Sequence, residues 1–287
     1  DIAINEINAA GGLLGRPVKA IHRDSTCNPE VGLREAKDLV LSEKVDFLMA
    51  ASSSAVLLAV SEFCKERKEL LFDMCAQSER ATKEKGHRYV FRLTTNSHCY
   101  SACDAAAVAR FPFTEWYTIA PDYEYGHACV ESFKPMVKAL KPDVQFIGEA
   151  WPPLGCIDYA PYITAIVTSG AKGVFDVLGG SDWVTFAKQG DAVGFYQKVA
   201  DVGHDHGTID TLGALGKNAP EGLWGGAQYP FWLLENNPKS VAYVNAFHDL
   251  TGDYPGLGGQ SGYTSVWALA EAIDEVGSLD TERIIDN

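Results

Sequence analysis

Serine residues that follow a buried-strand pattern are the side chains of this chain best suited to bind an anion. Ser52, Ser53 and Ser54 come directly after the apolar run at residues 45–50 and directly before a helical pattern at residues 55–65. The first turn of a helix has unpaired backbone N–H groups, its dipole favours negative charge, and hydroxyl groups add donors. The arrangement predicts a socket for a small anion. Each serine could instead only cap its helix, and both interpretations stay open.

A second turn of the same kind follows the next apolar strand. Ala76, Gln77 and Ser78 come after the strand pattern at residues 70–72. The carboxyl ends of parallel strands meet at one edge of a sheet, where ligands of α/β proteins bind. Small and polar residues at two consecutive strand ends therefore predict one wall of a site for a small carboxylate. We expect Ser52 and Ser78 to supply its main hydroxyl groups.

Two strand ends in the second half of the chain also carry polar or aromatic groups. Tyr123 and Tyr125 follow one predicted strand, and Ser181 and Asp182 follow another. Tyr125 could contact a ligand or pack in the core. Asp182 could accept a charge-assisted hydrogen bond from an ammonium group, or it could only cap its helix. Four such strand ends, two from each half of the chain, predict a cleft between two α/β domains.

Short apolar runs alternate with amphipathic helical patterns, which predicts βαβ units, parallel sheets and helices on both faces. The predicted strands lie at residues 18–22, 45–50, 70–73, 89–92, 116–120, 144–147, 173–178 and 209–212. The predicted helices lie at residues 29–42, 55–65, 97–111, 125–140, 159–169, 182–192, 238–251 and 261–276. We expect one lobe to comprise residues 1–95 plus 229–287 and to anchor the carboxylate. Residues 96–228 would form the second, closing lobe.

Composition and charge exclude several classes of protein. The chain has 287 residues, of which 46% are hydrophobic and 22% charged, so it can bury a sizeable core and is not disordered. The formal net charge of −14 repels phosphate backbones, so we expect no nucleic-acid partner. No run of 18 apolar residues is present that could span a membrane.

Motifs for metal binding and catalysis are weak. The seven cysteines include no Cys-x-x-Cys pair, and the chain has no Gly-Lys-Ser/Thr phosphate loop. His204 and His206 could share a metal ion if they lay on one strand, but no third ligand is evident nearby. We therefore expect residues 204–206 to form a solvated turn, and we expect no metal, no cofactor and no enzymatic activity.

Motifs along the whole chain carry a family resemblance. The most specific of these motifs is the opening Asn5-Glu6-Ile7-Asn8-Ala9-Ala10-Gly11-Gly12-Leu13-Leu14-Gly15-Arg16-Pro17; the others are Arg23-Asp24-Ser25-Thr26-Cys27-Asn28-Pro29, Ser52-Ser53-Ser54, Tyr123-Glu124-Tyr125-Gly126, Pro220-Glu221-Gly222-Leu223 and Tyr263-Thr264-Ser265-Val266-Trp267-Ala268-Leu269. Through these motifs the chain resembles the leucine/isoleucine/valine-binding protein family, whose members are type I periplasmic binding proteins that serve ABC importers.

The resemblance implies two Rossmann-like parallel-sheet lobes that are joined by a hinge and close on a ligand. It also implies roles for single residues. Ser52 would bind the ligand carboxylate, and Ala76 and Ser78 would form a second carboxylate-binding turn through backbone and hydroxyl groups. Tyr125 would reach the ligand from the other lobe.

The chain departs from the family pattern in three places. The strand that normally precedes the opening helix and the usual last portion are missing, so we expect trimmed terminal strands. Ala51 occupies the position of the usual disulfide partner of Cys27. The leucine-binding members carry a glutamate for the ligand ammonium in a Gly-x-Glu turn, whereas the matching residues 212–216 contain no acid. Asp182 would replace that acid, or the ligand would be a carboxylate without an ammonium group, such as an aromatic acid.

We therefore expect an extracytoplasmic solute-binding protein of an ABC importer that binds an amino acid or aromatic acid by hinge closure. Its partners would be this small carboxylate and a membrane permease, and the protein would be a monomer. A helical pattern is already present at Asp1, so we expect a mature, periplasmic chain whose targeting signal has been removed. The alternative is a ligand-sensing domain of a receptor or regulator with the same fold.

Overall fold

The computed structural model describes residues 1–50 and 53–287, which divide into two units. Unit 1 consists of residues 1–95 and 231–287, and unit 2 of residues 96–230. Each unit contains one parallel sheet with helices packed against it. The predicted α/β class with parallel sheets is therefore confirmed.

The N-terminal part of unit 1 follows the predicted alternation except at residues 18–22. Its elements are α1 (Ile2–Ala9), α2 (Pro29–Leu41), β1 (Leu48–Ala50), α3 (Ser54–Arg67), β2 (Leu71–Asp73) and β3 (Val90–Arg92). The strands form a parallel sheet in the order β1-β2-β3. Helix α2 begins where the sequence predicts, because Pro29 suits the first helical position and the Asn28 side chain accepts the N–H groups of Glu30 and Val31.

Unit 2 contains a larger sheet. Its elements are α4 (Ser97–Val108), β4 (Glu115–Ile119), α5 (Glu124–Leu140), β5 (Gln145–Ala150), α6 (Ala160–Ser169), β6 (Gly173–Asp176), α7 (Gly180–Ala192), β7 (Ala200–Gly203), α8 (Ile209–Leu215) and β8 (Trp224–Gly225). The strand order is β5-β4-β6-β7-β8, and every neighbouring pair is parallel. All their carboxyl ends therefore lie along one edge of the sheet.

The chain then returns to unit 1 with helices α9 (Pro238–Thr251), α10 (Leu257–Val276) and α11 (Thr281–Ile285). Leu269 and Ile273 of α10 pack with Leu70 and Phe72, so this C-terminal segment covers the sheet of unit 1. Among the described residues, no helix is both long and apolar enough to cross a membrane.

The strand predicted at residues 18–22 is wrong. This segment is not part of either sheet in the described structure. An apolar cavity of about 750 Å³ is lined both by this segment, through Val18 and Ile21, and by Phe47 and Met49 at β1. A segment is a β-strand only if it makes hydrogen bonds to a neighbouring strand. Residues 18–22 line the cavity and make no such bonds to a strand in the described structure.

The strand predicted at residues 209–212 is also wrong, because these residues begin helix α8. The strand of this region is β7 instead, nine residues earlier in the chain. The sequence of β7 does not show a clear strand pattern, because Asp201 and Gly203 interrupt its apolar residues. Both positions have specific uses in the folded unit, which are described below.

Two apolar clusters cover the two faces of the sheet in unit 2. Val174 belongs to one cluster with Trp183 and Phe186 of α7. Phe175, the next residue, belongs to the other cluster and stacks on Phe133 of α5 with ring centroids 3.7 Å apart. The alternation is the one expected of a strand buried on both faces.

Candidate functional site

The turn after β2 in unit 1 is organised by the carboxylate of Asp73. Its Oδ1 accepts hydrogen bonds from the backbone N–H groups of Cys75 at 3.2 Å and Ala76 at 2.9 Å. Asp73 is fully buried. It therefore holds the beginning of the turn in one shape from inside the unit.

Arg92 fixes the rest of this turn. It lies opposite Asp73 in the β2–β3 register, and one Nη is 3.3 Å from Asp73 Oδ2. The same guanidinium donates to the carbonyl groups of Ala76 at 2.8 Å and Ser78 at 2.6 Å. Burial raises the pKa of Asp73 to about 6, although the charge of Arg92 opposes this rise. The turn is thus tied to the neighbouring strand at three points.

The first turn of α3 contacts this turn directly. Ser54 Oγ accepts the backbone N–H of Ser78 at 3.1 Å. Ser53 is the N-cap of α3, and its Oγ accepts the N–H of Val56 at 3.4 Å. The structure therefore brings the predicted residues Ser53 and Ser78 to the same edge of the sheet in unit 1. Ser52 lies outside the described residues.

Ala76 and Gln77 lie in the same turn, and both are buried. The backbone N–H of Ala76 donates to Asp73 Oδ1. This N–H is therefore not the backbone group that Ala76 would offer to a ligand. Gln77 Oε1 is buried and has no hydrogen-bond partner among the described residues. Gln77 is thus a candidate for polar contact with a ligand.

Tyr123 and Tyr125 lie at the start of α5, at the carboxyl edge of the sheet in unit 2. Tyr123 is the N-cap residue, and its ring centroid lies 6.0 Å from that of Tyr125. Tyr125 is buried, and its hydroxyl group has no hydrogen-bond partner within the described part of the chain. Burial raises the pKa of Tyr125, so the group is a neutral donor at physiological pH.

Ser181 and Asp182 lie in the first turn of α7, and only Asp182 is buried. The Oδ2 of Asp182 accepts the backbone N–H of Gly155 at 2.9 Å. Burial raises the pKa of Asp182, and the bond to Gly155 opposes that rise. Asp182 does not cap α7 through its side chain; it ties the loop at Gly155 to the helix.

The turn at residues 204–206 follows β7 at the same edge, and the prediction that it is solvated is wrong. His204 is fully buried, and His206 is 3% exposed. Burial lowers the pKa of His204 to about 3, so its imidazole is neutral. The ring lies 4.9 Å from Tyr100 and 6.2 Å from Tyr125, measured between centroids. His204 therefore belongs to an aromatic cluster at the strand ends.

Asp205 is a candidate residue that sequence analysis missed. With the strand placed at β7, Gly203 is its last residue and Asp205 follows two residues later, which gives Gly-x-Asp where the leucine-binding members carry Gly-x-Glu. Burial raises the pKa of Asp205 to about 6, although the charge of His206 opposes this rise. A Cβ on Gly179 would lie 2.5 Å from Asp205 Oδ2, so this approach requires glycine at position 179. Asp205 could have been identified from the sequence by looking for a glycine that is followed two residues later by an acid.

The cavity described above does not coincide with these residues. Its lining comes from unit 1 alone and includes none of Ser53, Ala76, Gln77 and Ser78. Most of the lining is apolar, although charged residues such as Arg16, Lys19 and Glu43 also contribute to it. The strand ends are therefore the better candidate for the functional site.

Comparison with known proteins gives matches over essentially the whole chain. A profile of the family described as "Periplasmic binding protein" matches residues 1–287. The leucine-, isoleucine-, valine-, threonine- and alanine-binding protein of Pseudomonas aeruginosa is 22% identical over 293 residues, which is 99% of this chain and 74% of that protein.

Solved structures show the same fold. A periplasmic binding protein from Burkholderia mallei has a TM-score of 0.90 at 20% identity, covering 99% of this chain and 75% of that one. A solute-binding protein of an ABC transporter from R. palustris, in complex with 4-hydroxybenzoate, has a TM-score of 0.89 at 19% identity, covering 99% and 77%.

Proposed function

Because the chain belongs to the periplasmic binding protein family, we propose that it is the extracytoplasmic solute-binding protein of an ABC importer for an amino acid. Its relatives are substrate-binding proteins of transporters, so the chain is a binding protein and not an enzyme. The ligand class and the residues that hold it are our proposal. We further propose that the protein acts in the periplasm as a monomer and delivers its ligand to a membrane permease.

Unit 1 supplies the groups for the ligand carboxylate in this proposal. Ser52 and Ser53 precede the first turn of α3, whose N–H groups and dipole favour an anion. Ser78 and Gln77 are at the adjacent turn, which Asp73 and Arg92 hold in a fixed shape. A preformed turn loses little entropy when it binds a ligand, which favours affinity.

The position of Asp205 is the observation on which we base the proposal that the ligand is an amino acid. An ammonium group needs an ionised acceptor, and Asp205 is the acid of the Gly-x-acid pattern at the carboxyl end of β7. Asp182, the acceptor that sequence analysis considered, is already engaged with Gly155. We therefore assign the ammonium contact to Asp205.

Closure of the two units on the ligand would complete the mechanism. Tyr125 and Asp205 of unit 2 would contact the ligand only in a closed form, while unit 1 would hold the carboxylate in the open form as well. A ligand stabilises the closed form only by contacts that the open form lacks. The permease would then recognise the closed form.

An aromatic acid is the second candidate ligand, and the cluster of Tyr100, Tyr125 and His204 favours it. Such rings could stack on a benzoate ring. The R. palustris protein was solved with 4-hydroxybenzoate, but a likeness of 19% identity extends to the fold and not to the ligand.

A thermal-shift screen tests the proposal, because a bound ligand raises the melting temperature by mass action. The panel pairs each amino acid with the carboxylic acid that has hydrogen in place of the ammonium group, and it includes benzoate and 4-hydroxybenzoate. We expect only the amino acids of the panel to raise the melting temperature. In Ser52→Ala we expect a smaller rise with ligand, and without ligand the same melting temperature as in the wild type. A shift by benzoates alone would exclude an amino-acid ligand.

A further inference from the structure

Three buried side chains of unit 2 converge at and beside the carboxyl ends of β6 and β7. The His206 Nε2 lies 3.6 Å from Asp176 Oδ2 and 3.8 Å from Asp201 Oδ1. One donor atom of each residue lies within 4.8 Å of the other two. All three residues are at most 3% exposed. The cluster contains two oxygens and one nitrogen that face one another.

Strand register places the two carboxylates on the same face of the sheet. Asp176 of β6 is opposite Gly203 of β7, and Val174 is opposite Asp201. Residues two apart on a strand point to the same face, so Asp176, Asp201 and Gly203 share it. Gly203 has no side chain, and the His206 imidazole uses that space: a Cβ at position 203 would be 2.5 Å from Nε2.

Hydrogen bonds outside the cluster orient its donor atoms. His206 Nδ1 donates to the carbonyl oxygen of Trp224 at 3.2 Å, which leaves Nε2 with its lone pair toward the carboxylates when the ring is neutral. Asp176 Oδ1 accepts the N–H of Leu178 at 2.7 Å, which directs Oδ2 inward. The ring of Trp183 covers the imidazole, with centroids 4.6 Å apart. Metal-binding histidines are oriented in this way by a second hydrogen bond.

The inward atoms form no hydrogen bonds within the described part of the chain. Asp176 Oδ2, both carboxylate oxygens of Asp201 and His206 Nε2 are buried with no hydrogen bond to any described residue. No lysine or arginine forms an ion pair with either aspartate in the part of the chain that the structure describes. A divalent cation with neutral His206 would balance the charge of two ionised carboxylates.

We propose that Asp176, Asp201 and His206 supply three of the ligands for a divalent transition metal of the Zn²⁺ class. Ligands about 2.0–2.2 Å from zinc in a tetrahedral arrangement lie about 3.3–3.6 Å apart, and His206 Nε2 lies 3.6 Å and 3.8 Å from the two carboxylate oxygens. An imidazole with two carboxylates suits Zn²⁺ better than Ca²⁺ or Mg²⁺, which need six or more oxygens. The metal links β6, β7 and the turn that carries His206. The site does not depend on the proposed function.

The test measures metal in tag-free protein. Because the ligands are buried, the protein is unfolded with chelator, refolded with Zn²⁺ or Co²⁺ and freed of unbound metal by gel filtration. We expect one equivalent of Zn²⁺ per chain, visible d–d absorption from the Co²⁺ form, and a lower melting temperature after refolding without metal. Substantially less than one equivalent in the refolded wild type would overturn the proposal.

His206→Gln and Asp201→Asn are the test variants, and His204→Gln is the matched control. His204 is a buried histidine two residues away that is not one of the three ligands. We expect the test variants to bind Zn²⁺ at least about 100-fold more weakly and the control to bind it as the wild type does. Wild-type affinity in folded His206→Gln and Asp201→Asn would contradict the site. If either variant fails to fold, the Co²⁺ spectrum and metal content of the wild type decide alone.

Discussion

Ser54 Oγ accepts the backbone N–H of Ser78 at 3.1 Å, and this bond joins the first turn of α3 to the turn that follows β2. Both groups are buried. The two segments in which sequence analysis placed the carboxylate anchor are therefore one connected structure. Ser54 itself acts inside this structure and positions its neighbours.

Replacement of Ser54 by alanine removes the oxygen that accepts the backbone N–H of Ser78. We expect a loss of about 1–3 kcal/mol in the free energy of unfolding, measured with urea. Ser265→Ala is the control, because Ser265 is also buried and helical but its Oγ has no hydrogen-bond partner among the described residues. Equal losses in the two variants would mean that the Ser54–Ser78 bond contributes nothing specific.

Tyr125→Phe separates ligand binding from stability. The Tyr125 hydroxyl has no partner among the described residues, so its removal should not lower the free energy of unfolding. If the group donates to the ligand, affinity measured by calorimetry falls about 10-fold or more. Tyr159→Phe removes another such hydroxyl from the core of unit 2 and should leave affinity unchanged. Unchanged affinity in Tyr125→Phe would remove this residue from the site.

Gly203→Ala tests the packing of His206 against β7. The new Cβ would lie 2.5 Å from both the Asp176 carbonyl oxygen and His206 Nε2, so we expect a loss of about 1–3 kcal/mol in stability. Gly213→Ala is the control, because Gly213 lies in α8 with open space around its Cβ position. That change should stabilise the protein by about 0.5–1 kcal/mol. A tolerated Gly203→Ala would show that the His206 ring is not seated there.

Asp73 makes stability depend on pH. Burial raises its pKa from 3.8 to about 6 in the folded protein, so the folded state holds the proton more tightly than the unfolded state. Stability is then highest below pH 3.8 for this group and decreases by about 3 kcal/mol as pH rises through 6. Urea unfolding of the wild type and Asp73→Asn at pH 4 to 7 isolates this contribution. A difference between the two proteins that does not vary with pH would refute it.

Much of the fold could be predicted from local sequence. Asn28-Pro29 and Asn237-Pro238 begin helices in the structure, since each pairs a capping side chain with a residue suited to the first turn. The strand at residues 18–22 could not be judged in this way, because a strand depends on a neighbour that local pattern does not reveal. Strand β7 could not be recognised from local sequence either. Asp201 and Gly203 take part in tertiary contacts, and they interrupt the apolar pattern of the strand.

The candidate site was predictable where it follows strand ends and not where it depends on register. The rule that ligands bind at the carboxyl ends of parallel strands leads to Ser53, Ser78 and Tyr125 from the sequence alone. The contact between Asp73 and Arg92 follows from their pairing across two strands, which the sequence does not show. Asp205 was missed because the preceding strand was placed nine residues too late.

The most direct test of the central claim is a calorimetric cycle that removes both partners of the proposed ammonium contact. The wild type and Asp205→Asn are each titrated with the best amino acid from the screen and with its analogue that lacks the ammonium group, and Asp210→Asn is the control at an exposed acid. We predict that Asp205→Asn weakens binding of the amino acid by about 10-fold or more and leaves binding of the analogue unchanged. Equal effects of Asp205→Asn on the two ligands, or none on either, would contradict the account.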